Sequence, residues 1–387
     1  MEMKLLLLAQ QYGAATSGLG TYARALAGGL AAAGHTVTLA VPASQAVRTD
    51  GIRIVPMDFA PANLTPLRTP RMAREIRRVL RAEAAAHDLV HFLDAREAVL
   101  AGDLPIPAVG SIHDSYSLDW RGRGSVGAGI GARIAYGLWF ARLRRLERHA
   151  YHRLPLLIAN SRHVLATVRD GYGIAPERLR VIPLGLPPAE PVAPEPLAGR
   201  PSVLFVGGNF LRKGLPVLLE AAAALRTRLP GLRLHVVGGD RRRPRFEHLA
   251  RALGVTDRVV FHGWAVNDRV RAMMAGADVF ALPSAVEAFG LVYLEAMRAG
   301  TAVIATRYGG AAEVFKDGRE VLLVDPAWPE ESAAAIARLA GDDAFRRALA
   351  EAGRAAAGRF TAEAMVEETA RAYRDLSAAR QGPEPVA

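Results

Sequence analysis

Short apolar runs bounded by glycine, proline or charge recur along the chain, separated by segments in which Ala and Leu repeat at helical spacing. Met3–Ala9 is apolar, Gly13, Gly18 and Gly20 punctuate the loop after it, Thr21–Ala33 has helical periodicity, and His35–Val41 alternates as a strand. Together these segments predict a βαβ unit. Further buried strands are expected at Ile52–Pro56, Leu89–Phe92, Ala108–Ile112, Leu156–Ala159 and Arg180–Ile182, with a helix over Met72–Ala86. Alternating strand and helix argues for a parallel, doubly wound sheet.

Pro183–Pro201 is too rich in proline for either regular element and marks a domain boundary. The pattern then restarts with strand Ser202–Val206, helix Leu215–Leu229, strand Arg233–Val237, helix Pro244–Leu253 and strands Val259–His262 and Val279–Leu282. Helix Gly290–Ala299, strands Ala302–Thr306 and Val321–Val324, and helical stretches Glu330–Arg354 and Thr361–Arg380 follow, before a tail expected to fray from Gln381. The expected architecture is two Rossmann-like α/β domains, residues 1–187 and 188–360.

Composition narrows the function classes. The 387 residues are 51% hydrophobic and 22% charged, which is globular, and no cysteine is present. Disulfide scaffolds, thiolate metal sites and cysteine nucleophiles are thereby excluded. The first apolar run is too short for a signal-peptide core, and none reaches the ~20 residues of a membrane span. A soluble, cytoplasmic protein is expected, with peripheral membrane contact left open. Net charge is +11, of which the first 187 residues carry +9, and only Lys4, Lys213 and Lys316 are lysines. A nucleic-acid partner is not expected, since aromatics make up 6% and no basic-aromatic module is present. A dinucleotide-dependent oxidoreductase would need GxGxxG and a later acidic residue, and neither glycine loop supplies them.

Several segments carry candidate chemistry. The loop Gly13–Gly20 opens a helix whose N–H groups suit an anion, though it also reads as an ordinary βα turn. Phe205-Val-Gly-Gly208-Asn209-Phe-Leu-Arg212-Lys213-Gly214 places two adjacent cations just before a helix, a fork and a point charge suited to a diphosphate. In the stretch from Pro283 to Gly300, Glu287 precedes a helix N-terminus near Phe289, Gly290 and Leu291, and Glu295 follows eight residues later. Were both glutamates helical, their backbones would lie about 12 Å apart, wider than the ~5–9.5 Å between paired hydrolytic carboxylates, which favours two separate recognition contacts. His113-Asp114 ends a strand at the sheet edge where open α/β folds bind ligands. Between Arg121 and Arg153 eight arginines face Glu147 alone, and Tyr136, Trp139, Leu143, Leu146 and Ala150 form an apolar stripe. That segment reads either as a packed helix with a solvated cationic face or as a surface for an anionic membrane or acceptor.

Taken together, these motifs resemble the GT-B glycosyltransferases of family 4, the group 1 retaining transferases that use nucleotide-sugar donors. The marks are Glu287 and Glu295 within EAFGLVYLEAMRAGTAVIAT, the FVGGNFLRKG loop, Gly309–Gly310 followed by Glu313, and Ile112-His113-Asp114. Ala288, Leu184 and Val321 depart from the residues common at their places. The resemblance implies two domains facing a cleft, closure about the 183–201 linker, and a final helix within 361–380 that returns to the first domain. It assigns Arg212 and Lys213 to the donor diphosphate, Glu295 to the ribose and Glu287 to the transferred sugar. Gly208, Asn209 and the amides of Phe289, Gly290 and Leu291 would bind the donor, His113 would lie beside its sugar, and Gly18 and Gly20 would reach its phosphate. No Asp-x-Asp is present, and no essential metal or other cofactor is expected.

Overall fold

The computed structural model describes residues 2–12, 18–60, 69–119 and 130–381, so the predicted loop residues Gly13–Ser17, along with Arg121, Arg123 and the tail beyond Gln381, lie outside the described residues. The described residues fall into two compact units, one drawn from the ranges 1–118, 128–187 and 361–387, the other from 119–127 and 188–360.

In the first unit the strands are β1 (Lys4–Leu8), β2 (Thr36–Pro42), β3 (Ile52–Met57), β4 (Leu89–Phe92), β5 (Ala108–Ile112), β6 (Leu156–Ala159) and β7 (Leu179–Val181). They form one parallel sheet in the order β3-β2-β1-β4-β5-β6-β7. Helices α1 (Gly18–Ala32), α2 (Thr69–Glu83), α3 (Tyr116–Asp119), α4 (Ile130–His152) and α5 (Arg162–Tyr172) connect them. Both faces of a parallel sheet are covered, so its strands read as unbroken apolar runs, and Leu5, Leu6, Leu7 and Leu8 are fully buried.

The second unit repeats the plan with β8 (Ser202–Val206), β9 (Arg233–Val237), β10 (Val259–Gly263), β11 (Val279–Leu282), β12 (Ala302–Thr306) and β13 (Leu322–Val324), in the parallel order β10-β9-β8-β11-β12-β13. Its helices are α6 (Leu215–Ala224), α7 (Arg243–Ala252), α8 (Asn267–Gly276), α9 (Leu291–Arg298), α10 (Gly310–Val314), α11 (Pro329–Gly341) and α12 (Asp343–Ala357). The last helix, α13 (Ala362–Gln381), belongs to the first unit. There Tyr373 Oη hydrogen-bonds His91 Nδ1 at 2.5 Å, and the buried chain continues through Ser111 Oγ to Tyr22 Oη. Among the described residues no helix is long and apolar enough to cross a membrane.

Several boundaries differ from expectation for local reasons. The stretch 330–354 is two helices, because Asp342 leaves helical geometry and its carboxylate accepts the Phe345 amide, capping α12. Helix α6 stops at Ala224, and Leu225–Arg228 continue only as turns. Helix α8 was not anticipated, since Asn267-Asp-Arg-Val-Arg lacks an apolar stripe. The proline-dense segment has no regular element, yet its latter half is bonded along the second unit: the Glu195 amide donates to Ala272 O at 2.9 Å, His235 Nε2 to Ala198 O at 2.9 Å, and the Arg200 amide to Gly231 O at 2.8 Å. The apolar stripe on α4 also fails at its start. Ala150 is fully buried, but Trp139 is 46% exposed.

Candidate functional site

In a doubly wound sheet the ligand crevice opens beyond the carboxyl ends of the strands where strand order reverses. That point falls between β8 and β11 in the second unit and between β1 and β4 in the first.

Two loops meet at the β8/β11 point. After β8 the chain turns through Gly208 and Asn209, the latter left-handed at φ 50°. The exposed Asn209 side chain ties this loop to the one after β9, its Oδ1 accepting from Arg242 Nη2 at 2.9 Å and from the Arg212 amide at 3.4 Å. Asp240 accepts the Phe210 amide at 2.8 Å, and the Lys213 amide donates to Asn209 O at 3.0 Å. Gly214 then starts α6 at φ 83°, where a Cβ would stand 2.0 Å from Pro283 O, so only glycine lets the two loops approach this closely.

From the facing loop Glu287 comes to Lys213. Lys213 Nζ donates to Glu287 Oε2 at 2.5 Å, Ser284 Oγ donates to the same oxygen at 3.1 Å, and the two side chains are only 13% and 9% exposed. The Glu287 backbone is pinned by donating to Tyr308 O at 3.1 Å and accepting from the Gly310 amide at 2.9 Å. Burial alone would push the Glu287 carboxyl up, but the charges of Lys213 and Arg212 and the two hydrogen bonds outweigh it and hold it below the usual carboxylate range. Lys213 is shifted down, chiefly by burial and further by Arg212, against the pull of Glu287. Main chain also joins the loops, since the Ala285 amide donates to Arg212 O at 2.9 Å.

Phe289 and Gly290 lead into α9 at Leu291, whose first N–H groups have no intrahelical acceptor. Because Glu287 precedes α9 rather than lying on it, the helical rise assumed for the Glu287–Glu295 separation does not apply. Glu295 sits half-buried on α9, and burial, opposed by Arg298 and Arg271, raises its carboxyl to about 7.

In the first unit His113 follows β5 and is half-buried. Its Nε2 lies 2.6 Å from Leu93 O; a carbonyl only accepts, so the proton is on Nε2 and Nδ1 keeps its lone pair. Burial depresses its pKa despite the nearby Asp94 carboxylate, which favours this neutral form. Gly18 and Gly20 lie in the first turn of α1, and Tyr22 on the next packs edge-on against the His113 ring at 4.7 Å.

The sequence reading missed a group at the β1/β4 point. Arg96 forks onto Asp94 at 2.8 and 2.7 Å and lies 3.5 Å from Asp114 and 3.8 Å from Glu147. Glu147 is 2% exposed, and its Oε2 accepts from the Ser117 hydroxyl and from Tyr172 Oη. Burial raises Glu147 and raises Glu97 well above the usual carboxylate range, whereas Asp94, also buried, is held low by Arg96. One signal for it stood in the sequence: Asp94-Ala-Arg96-Glu97 begins two residues after an apolar strand.

A family model described as Glycosyltransferase Family 4 matches residues 16–190, and one described as Glycosyl transferases group 1 matches residues 191–356. The chain is 34% identical over 253 residues to a D-inositol 3-phosphate glycosyltransferase of Corynebacterium urealyticum, a match covering 60% of this chain and 59% of that protein. It thus spans little more than half the length of the curated relatives it matches. Among solved structures it is similar to a sucrose-phosphate synthase from Thermosynechococcus elongatus, with a TM-score of 0.79, 24% identity, and coverage of 98% of this chain and 100% of that one. It is also similar to Anabaena Alr3699/HepE in complex with UDP-glucose, at TM-score 0.73, 21% identity, and coverage of 97% and 100%. These likenesses establish the fold as two Rossmann-like domains of the GT-B type.

Proposed function

Because the chain belongs to the group 1 glycosyltransferases of family 4, we propose that it moves a hexose-type sugar from a nucleoside-diphosphate donor to an acceptor. Transfer proceeds with retention of the anomeric configuration and without an essential metal. The observation that carries this reading is the buried Lys213–Glu287 pair at the β8/β11 switch point, with Arg212 beside it.

Cleaving a sugar–phosphate bond builds negative charge on the departing diphosphate. Fixed cations in a water-poor setting stabilise that charge without reorganising at the moment of reaction. Lys213 and Arg212 supply such charge, and the amides of Phe289, Gly290 and Leu291 add the positive end of α9. Glu287, held ionised, orients Lys213 and accepts from sugar hydroxyls. Glu295 takes the ribose hydroxyls, Gly208 and Asn209 shape the loop around the phosphates, and Gly18, Gly20 and His113 are assigned to the donor by the family resemblance. The similarity to a structure containing UDP-glucose makes UDP the first nucleotide to test.

The acceptor falls to the basic first domain and is a lipid, a polysaccharide precursor or a small molecule. Peripheral attachment to the inner face of an anionic membrane is part of this reading, supported by Leu138 and Trp139, 69% and 46% exposed on α4 beside its arginines. The test is incubation with UDP-, GDP- and ADP-sugars in chelator, read as nucleotide release and, for product, by the anomeric proton coupling in NMR. Release with a retained anomer supports the proposal. Turnover that appears only on adding a divalent ion removes the metal-independent part, and an inverted anomer removes retention.

A further inference from the structure

The C-terminal half of α4 and the last turn of α5 enclose a groove of about 630 Å³ within the first unit. Arg144, Arg145, Arg148, His149 and His152 line it. At ~100° per residue these five positions fall within an arc of roughly 140°, so one side of α4 carries three arginines and two histidines over little more than two turns. Across the groove lie Gly171 and Tyr172, and His152 Nε2 donates to the Tyr172 carbonyl at 3.0 Å, fixing the spacing of the walls.

Among the described residues no carboxylate lines the groove. Glu147, the acid on the same stretch of α4, is turned inward onto Ser117 and Tyr172, and Asp170 is bonded to Arg169 at 2.7 Å. Arg144 donates to Ser117 O at 2.9 Å and is half-buried, while Arg145 and Arg148 are exposed and make no ion pair among the described residues. Like charges four apart on a helix repel, and a bound anion relieves that repulsion. Guanidinium forks match phosphate oxygens bidentately, so a compact cluster of them in a concave groove selects phosphate over a diffuse negative surface.

We propose that the α4/α5 groove is a binding site for a ligand carrying clustered phosphate groups, with Arg145 and Arg148 as its principal contacts. The source is either the headgroup of an anionic lipid or a soluble phosphorylated molecule. The site is built wholly within the first unit and does not depend on the glycosyl-transfer reading.

The probe is inorganic pyrophosphate, titrated calorimetrically without metal into the wild-type chain and into Arg145→Ala/Arg148→Ala. Any binding near Lys213 is common to both and cancels in the comparison. Both arginines are exposed, so the double variant should melt as wild type does. Loss of one binding event, or its weakening by about tenfold or more, is expected, with partial retention in Arg145→Lys/Arg148→Lys. Superimposable isotherms would overturn the proposal. Sedimentation with phosphatidylglycerol and phosphatidylcholine vesicles then separates the sources. Selective loss of phosphatidylglycerol binding in the alanine variant identifies the headgroup; unchanged vesicle binding alongside lost pyrophosphate binding identifies a soluble ligand. Lost vesicle binding with an unchanged pyrophosphate isotherm would reduce the groove to diffuse charge and overturn the proposal.

Discussion

Replacing Lys213 by Met should reverse the sign of one residue's contribution to the pH dependence of stability. In the native protein Glu287 is held below the usual carboxylate range by Lys213 and Arg212, so it contributes stability that is present at neutral pH and lost as pH falls through its folded value. Without the ammonium, a carboxyl only 9% exposed keeps its burial and loses its nearest charge and one hydrogen bond. Breaking a buried pair from one side costs about 3–5 kcal/mol. Protonation then becomes the escape: Glu287 would titrate above its unfolded value, so its penalty is smallest below that value and grows as pH rises. The assay is urea unfolding of wild type, Lys213→Met, and Lys213→Met/Glu287→Gln at about pH 5.5 and about pH 8. The single variant should fall further behind wild type at the higher pH, and the double variant should recover most of the loss there. Neither should release nucleotide from a sugar donor, which separates the structural from the catalytic effect. A deficit below about 1 kcal/mol at both pH values, or a double variant no better than the single, would refute the buried-pair argument.

Three other outcomes are expected. His91 is fully buried and shifted to about 3 by burial, below the ~6.5 of free histidine, so the folded state resists protonation and stability falls with pH below that value. The loss is about 1.6 kcal/mol between pH 6.5 and pH 5, and it should vanish from the pH dependence of the urea-unfolding free energy of His91→Gln. Glu295, raised to about 7, should bind ribose hydroxyls better once ionised, so nucleoside-diphosphate affinity should strengthen from about pH 6 to about pH 8, and Glu295→Gln should flatten that profile. Gly309 sits at φ 105° with space for no side chain, since a Cβ would stand 1.9 Å from Glu287 O; Gly309→Ala should cost at least about 2 kcal/mol and weaken nucleotide-induced thermal stabilisation.

The parts of the fold that were legible in the sequence are those governed by local pattern. Ala108–Ile112, Ser202–Val206 and Val279–Leu282 are short apolar runs flanked by breakers, and each is a strand over those residues. Boundaries slipped where capping rather than periodicity decides, as at Asp342. In the second unit the candidate residues were findable because Arg212-Lys213 and Glu287 each sit in a glycine-marked loop directly after a strand, and the fold brings Lys213 and Glu287 together. The first unit's array was not findable in that way: Asp94, Arg96, Asp114 and Glu147 are contributed by three separated segments, and only parallel registration of β4 and β5 with α4 makes them neighbours. Trp139 shows the converse, an apolar position in a helical stripe that the fold leaves in solvent.

The bond from Tyr373 to His91 joins residues 282 positions apart, and it bears on the order in which a nascent chain can finish. At roughly 5–20 residues per second of synthesis, His91 emerges about 15 to 55 seconds before its partner. Residues 188–360 are contiguous and can close on themselves while the ribosome is still working, but the unit begun first must wait for α13. Through that interval the side of α1 that α13 will cover has no partner from its own chain. The first domain is therefore the last to be completed, and a ribosome that stalls past residue 360 would leave a finished second domain tethered to an unfinished first.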